Sequence, residues 1–196
     1  MQNLLFFVDR VSSRVGQAFS WLIVALTFLV TWEVFARYAL NTPNPWAFDL
    51  MIMMYGAAFM TAGAYTLAKN GHVRGDVLYS FFPPRLQAGL DLVLYLVFFI
   101  PGVVALVWAG HTYAAESFAI REHSTLTANG PPLYPFKMVI PFAGVLLLLQ
   151  GLVEIVRCVI CLRDGAWPPR EPDVEEVDVG QLKAQITEGK GGEGRA

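Results

Sequence analysis

The sequence predicts an all-α membrane protein with four transmembrane helices, both termini cytoplasmic, and short interfacial helices beside them. Three observations predict it. Of 196 residues, 55% are hydrophobic and 15% charged, against roughly 25% charged in an ordinary soluble domain. Four stretches, residues 15–32, 50–68, 92–115 and 138–153, contain no Asp, Glu, Lys or Arg. The remaining Lys and Arg concentrate on alternate connections. A formal charge of -2, from 14 basic and 16 acidic side chains, offers no positive field for a phosphate backbone, so nucleic-acid binding is excluded.

A hydrocarbon core of about 30 Å requires roughly 20 mostly apolar residues in a helix, because backbone groups in lipid must bond within their own segment. With interfacial flanks, the apolar stretches give spans of about residues 15–39, 47–68, 86–119 and 136–160, a four-helix unit over residues 15–163. Unbroken apolar runs such as 145–149 exclude a β-barrel, whose strands alternate. Before the first span, Leu4, Leu5, Val8, Val11 and Val15 recur at helical spacing, with Asp9, Arg10, Ser13 and Arg14 between them. This pattern predicts residues 1–14 as an amphipathic helix lying on the inner membrane surface. The segment is expected to stay attached, because the apolar stretch is too long for a signal peptide and no small-x-small cleavage site closes it. Residues 78–82, ended by Pro83 and Pro84, read as a second interfacial piece.

Pro101 interrupts the third span, where its missing N–H and its ring should kink the helix or be compensated by neighbours. The stretch 85–120 exceeds the hydrocarbon thickness, which predicts tilt or protrusion. From Ala166 onward there are seven acidic and four basic residues among Pro and Gly, so residues 164–196 are expected to form an acidic, disordered tail.

Positive charge is retained on the cytoplasmic side. Arg10 and Arg14 precede the first span, Lys69, Arg74 and Arg85 belong to the second connection, and Arg157 and Arg163 leave the last span. The first connection has no Lys or Arg, and the third has Arg121, with Lys137 at the mouth of the last span. The first and third connections are therefore expected outside.

Glu33 and Arg37 share a helix face in the favourable acid-first order. Near the outer end such a pair neutralises itself, so it reads as a structural pair or subunit contact, whereas a transport relay would need further carboxylates at depth. Glu116, beside His111, reads as a hydrated interface group. Asp49 opens the second helix, where free N–H groups favour a capping carboxylate, and Trp46 fits the aromatic belt; partner recognition is the other reading of both. Of the three histidines only His111 lies in a span, which leaves haem without a facing ligand. His72 and Asp76 fall on the inner connection and His123 on the outer one, so they cannot assemble one metal site. Cys158 and Cys161 form a C-x-x-C on a helix without a second pair, which reads as reduced thiols. Neither a nucleophile turn to serve Ser117 and His111 nor a glycine-rich phosphate loop occurs. Neither enzymatic activity nor a cofactor is expected. Matching half-segments broken by Gly or Pro, the mark of a secondary transporter's own substrate site, are absent from the sequence.

Several short motifs occur in a definite order. Arg37-Tyr38 is followed by Asn41 and Trp46, and the inner connection reads Gly71-His72-Val73-Arg74-Gly75-Asp76-Val77-Leu78-Tyr79, then Pro83-Pro84-Arg85. In this order, over about residues 15–163, the chain resembles the DctQ-like small permease subunits of tripartite ATP-independent periplasmic (TRAP) transporters. It departs from their pattern where Ala47 and Phe48 precede a single Asp49 in place of an acidic pair, and where Gly75 replaces a β-branched residue. The resemblance implies a scaffold in the bacterial inner membrane, surrounded by membrane lipids. Its partners would be a large permease subunit that moves substrate with sodium and a periplasmic substrate-binding protein that delivers an organic acid. It makes Glu33, Arg37, Tyr38, Trp46, Asp49, His72 and Asp76 candidates for partner contacts or structural roles. Glu33, Arg37 and Asp49 are expected to brace the first hairpin together, and His72 and Asp76 read equally as a helix-end turn or a subunit contact. Connections 40–47 and 121–136 are candidates for touching the binding protein. Two rival readings are a self-contained homo-oligomeric carrier or channel, and a membrane enzyme centred on His111 and Glu116.

Overall fold

The computed structural model describes residues 2–71, 79, 81–127 and 130–169. Four helices are long and apolar enough to cross a membrane: α1 (Gln2–Tyr38), α2 (Pro45–Ala68), α3 (Pro84–Ala119) and α4 (Tyr134–Asp164). Proline stands at the first position of α2 and α3, where a fixed φ suits the helix and the missing N–H costs no intrahelical bond. Each helix is followed by a residue in the left-handed region: Asn41, Asn70, Arg121 and Gly165. That reversal lets the chain bond back onto the last turn, as in Gly71 N–H to Thr66 O at 2.8 Å and Glu122 N–H to Ser117 O at 3.0 Å.

The helices alternate in direction. Gly16 of α1 abuts Tyr65 of α2 while Glu33 reaches Asn44, so α1 and α2 are antiparallel. In α3 and α4, Gly110 meets Ile140, Gly144 meets Val107 and Gly151 meets Phe99, which fixes one antiparallel register along the whole seam. Helix α4 is central and packs on the other three; its most apolar window is 44% buried, against 6% for those of α1 and α3. Both ends of the described chain, the last turn of α2 and the first turn of α3 lie at one end of the bundle, the terminal end. Connection 39–44 and the described residues 120–127 and 130–133 form the opposite loop end.

Three features differ from the sequence reading. The boundary placed near residue 14 is not a break: α1 is one helix of 37 residues, about 55 Å long. Its first part packs on α4 because Asp9 and Ser12 have polar partners there, which holds them inward where water would otherwise have to solvate them. Around Pro101, α3 does not simply kink. Tyr95–Phe99 forms a π-helical turn, and the Ile100 N–H bonds to Tyr95 O, so one extra residue is accommodated before the position where proline removes a donor. At the other end, the expected tail starts later than residue 164. The Trp167 indole donates to Gln87 Oε1 at 3.2 Å and packs with Leu92 and Tyr95 against Ala88, Cys158 and Cys161. The rest of the tail, residues 170–196, and residues 78 and 80 of the second interfacial piece lie outside the described residues.

Candidate functional site

Polar side chains gather at the two ends of the bundle. At the loop end, Glu33 joins α1 to the first connection. Its carboxylate accepts from Arg37 Nη2 at 2.9 Å and from both the backbone N–H and the Nδ2 of Asn44 at 3.1 Å. The glutamate side chain is 6% exposed and the arginine 54%. The pair is thus polarised, with its anion turned into the hairpin and its cation outward. Tyr38 and Trp46 are exposed beside it.

Asp49 joins neither that brace nor the start of α2. The N-cap is Asn44, without a side-chain bond, and because the helix begins at Pro45, Asp49 lies beyond the first turn and faces the bundle. Its buried carboxylate accepts from Ser124 Oγ at 2.5 Å and from Thr127 Oγ1. Two hydroxyls of the second loop thereby replace water around it. The same loop is strapped across its neck by Ser124 N–H to Pro131 O at 3.0 Å and Leu133 N–H to Glu122 O at 2.8 Å. Beneath it, buried Lys137 pairs with Glu122 and lies 4.0 Å from the Tyr113 ring centroid. The Lys137 ammonium holds the Glu122 carboxyl below its ordinary value of 4.5.

The terminal end holds a network that the sequence reading did not assemble. Arg157 of α4, 1% exposed, donates Nη1 to Glu154 Oε1 at 2.6 Å and Nη2 to Asp9 of α1. Gln150 Nε2 donates to Asp9 Oδ1 at 2.8 Å, and Ser12 Oγ donates to Gln150 Oε1 at 3.1 Å. All five residues are fully buried. A signal was present in the sequence, since Gln150, Glu154 and Arg157 form one polar stripe along an otherwise apolar helix, matched by Asp9 and Ser12 one turn apart on α1.

The helix faces between these ends are apolar and open. A cleft of about 510 Å³ runs between α3 and α4, lined by Val104, Trp108, Pro141, Val145 and Leu148, with His111 on its wall. Glu116 is exposed and not part of this lining. A cleft of about 240 Å³ between α1 and α2 has Arg37 and Tyr38 at its loop end. Cys158 and Cys161 are buried and not in a disulfide, and among the described residues no group of three His, Cys, Asp or Glu could hold a metal ion. His72 and Asp76 lie outside the described residues.

Residues 26–161 match the family model for the DctQ component of the tripartite ATP-independent periplasmic transporters. The match takes in Glu33, Asp49 and Arg157 but not Asp9. The chain is also similar to the sialic acid TRAP transporter small permease protein SiaQ of Vibrio cholerae, with 26% identity over 137 residues, covering 68% of this chain and 75% of that protein.

Proposed function

Because the chain belongs to the DctQ component family of the tripartite ATP-independent periplasmic transporters, as a multi-pass protein of the bacterial inner membrane, we propose that it is the static scaffold of its transporter. In this reading a large permease subunit translocates the substrate with sodium, a periplasmic binding protein delivers it, and this chain gives the moving part a fixed reference in the bilayer. An organic acid is the proposed cargo, supported by the relative named for sialic acid. The terminal end is proposed to be cytoplasmic, on the distribution of Lys and Arg; an active cytoplasmic reporter fused after Asn44 would contradict that assignment.

The observation that carries the scaffold reading is where polarity is used. Asp9, Glu33, Asp49, Glu122, Lys137 and Arg157 each tie one part of this chain to another, while the apolar windows of α1 and α3 are only 6% buried within the chain. Rigid ends with open apolar sides suit a wedge between lipid and a larger neighbour. The test is reconstitution in liposomes. The chain alone should leave a sodium gradient and external solute unmoved, and adding the large subunit with the binding protein should start uptake. Solute movement by the chain alone would overturn the proposal in favour of a self-contained carrier.

A further inference from the structure

We propose that the α1–α2 cleft at the loop end is a phospholipid site, in which Arg37 holds the phosphate and an acyl chain lies along Val30, Val34 and Met51. The cleft has a volume of about 240 Å³, Val30, Val34, Phe48 and Met51 form its apolar lining, Glu33 also lines it, and Arg37 and Tyr38 stand together at one end. Only Nη2 of Arg37 is engaged, on Glu33; Nε and Nη1 make no hydrogen bond among the described residues. Glu33 does not cancel the attraction at the surface. Its oxygens are occupied by Arg37 and Asn44, and its side chain is 6% exposed against 54% for the arginine. An approaching anion therefore meets N–H donors in the planar fork that suits phosphate.

The vertical order also fits a lipid. Arg37 and Tyr38 are the last two residues of α1, and Trp46 stands at the start of α2, the level where interfacial aromatic residues and headgroups meet. Val34 and Val30 lie about one and two turns deeper, at acyl depth. A carboxylate from a protein neighbour could satisfy Arg37 but would leave the apolar floor unfilled.

The test is native mass spectrometry of the full-length chain in detergent, titrated with phosphatidylglycerol, with a diacylglycerol of the same chains, and with inorganic phosphate. Phosphatidylglycerol should bind at one preferred site, and the other two should bind at least about tenfold more weakly, since a charge-assisted hydrogen bond is lost in one case and apolar burial in the other. Arg37→Gln should weaken phosphatidylglycerol binding by about tenfold, and Val34→Phe, which fills the floor and keeps the charge, should do the same. Equal binding to Arg37→Gln and the unmodified chain, or to diacylglycerol and phosphatidylglycerol, would overturn the proposal. Inorganic phosphate that matches the lipid and ignores Val34→Phe would overturn the lipid in favour of a simple anion site. Should Arg37→Gln fail to fold, Val34→Phe and the diacylglycerol and inorganic phosphate arms decide.

Discussion

Arg157→Met should be among the most damaging single substitutions in the bundle. The guanidinium is 1% exposed and neutralises Asp9 and Glu154 together. Methionine fills a similar volume but leaves two carboxylates in one dry region, with Asp9 retaining Gln150 Nε2 at 2.8 Å. Removing one partner of a buried ion pair costs about 3–5 kcal/mol, because the charge left behind has lost both water and its counter-ion. Asp9→Asn should cost less, about 1–2 kcal/mol, since an amide oxygen still accepts from Gln150 and Arg157 keeps Glu154. The double variant should be milder than the sum of the two singles, by about 0.5–3 kcal/mol, because Asp9→Asn removes one of the anions that Arg157→Met strands. Reversible unfolding of the purified chain in mixed micelles measures all three. An Arg157→Met midpoint corresponding to less than about 0.5 kcal/mol, or strict additivity in the cycle, would refute the claim that these side chains act as one buried unit.

Asp49→Ala should release Ser124 and Thr127 and leave α2 intact, so amide exchange at Leu126 and Leu133 should accelerate by roughly tenfold or more; unchanged exchange there would show that the loop is held by its neck bonds alone. Gly151→Ala should destabilise by about 1–3 kcal/mol, because an added Cβ would stand 2.3 Å from Phe99 Cε1. Gly102→Ala meets no atom within 4 Å and should be neutral or gain up to about 1 kcal/mol of helix propensity; a reversed ranking in the same unfolding assay would contradict the packing described for the α3–α4 seam. The Lys137 ion pair lowers the Glu122 carboxyl from 4.5. Its contribution to stability is therefore complete above that value and is lost as the pH falls through the lowered one. Unfolding midpoints followed from about pH 7 to pH 3 should lose part of their acid decline in Glu122→Gln, and an identical decline would remove the pair from the account.

The four spans were determined by the sequence itself, because a helix in lipid satisfies its own backbone and an apolar run of sufficient length needs no information about its neighbours. The Glu33–Arg37 contact was equally legible, being set by the helical repeat within one element. Only the tertiary structure decided which polar residue meets which across elements. Counting charges assigns Arg157 to the membrane surface, and spacing leaves Asp9 on an interfacial face, yet the two meet inside the bundle because α1 runs unbroken beside α4. Local position marks Asp49 as a cap, yet the second loop, distant in sequence, supplies its hydroxyl partners. Apolar length is a one-dimensional property, readable along the chain. The partner of a buried charge depends on helix order and register, which arise only when the helices pack.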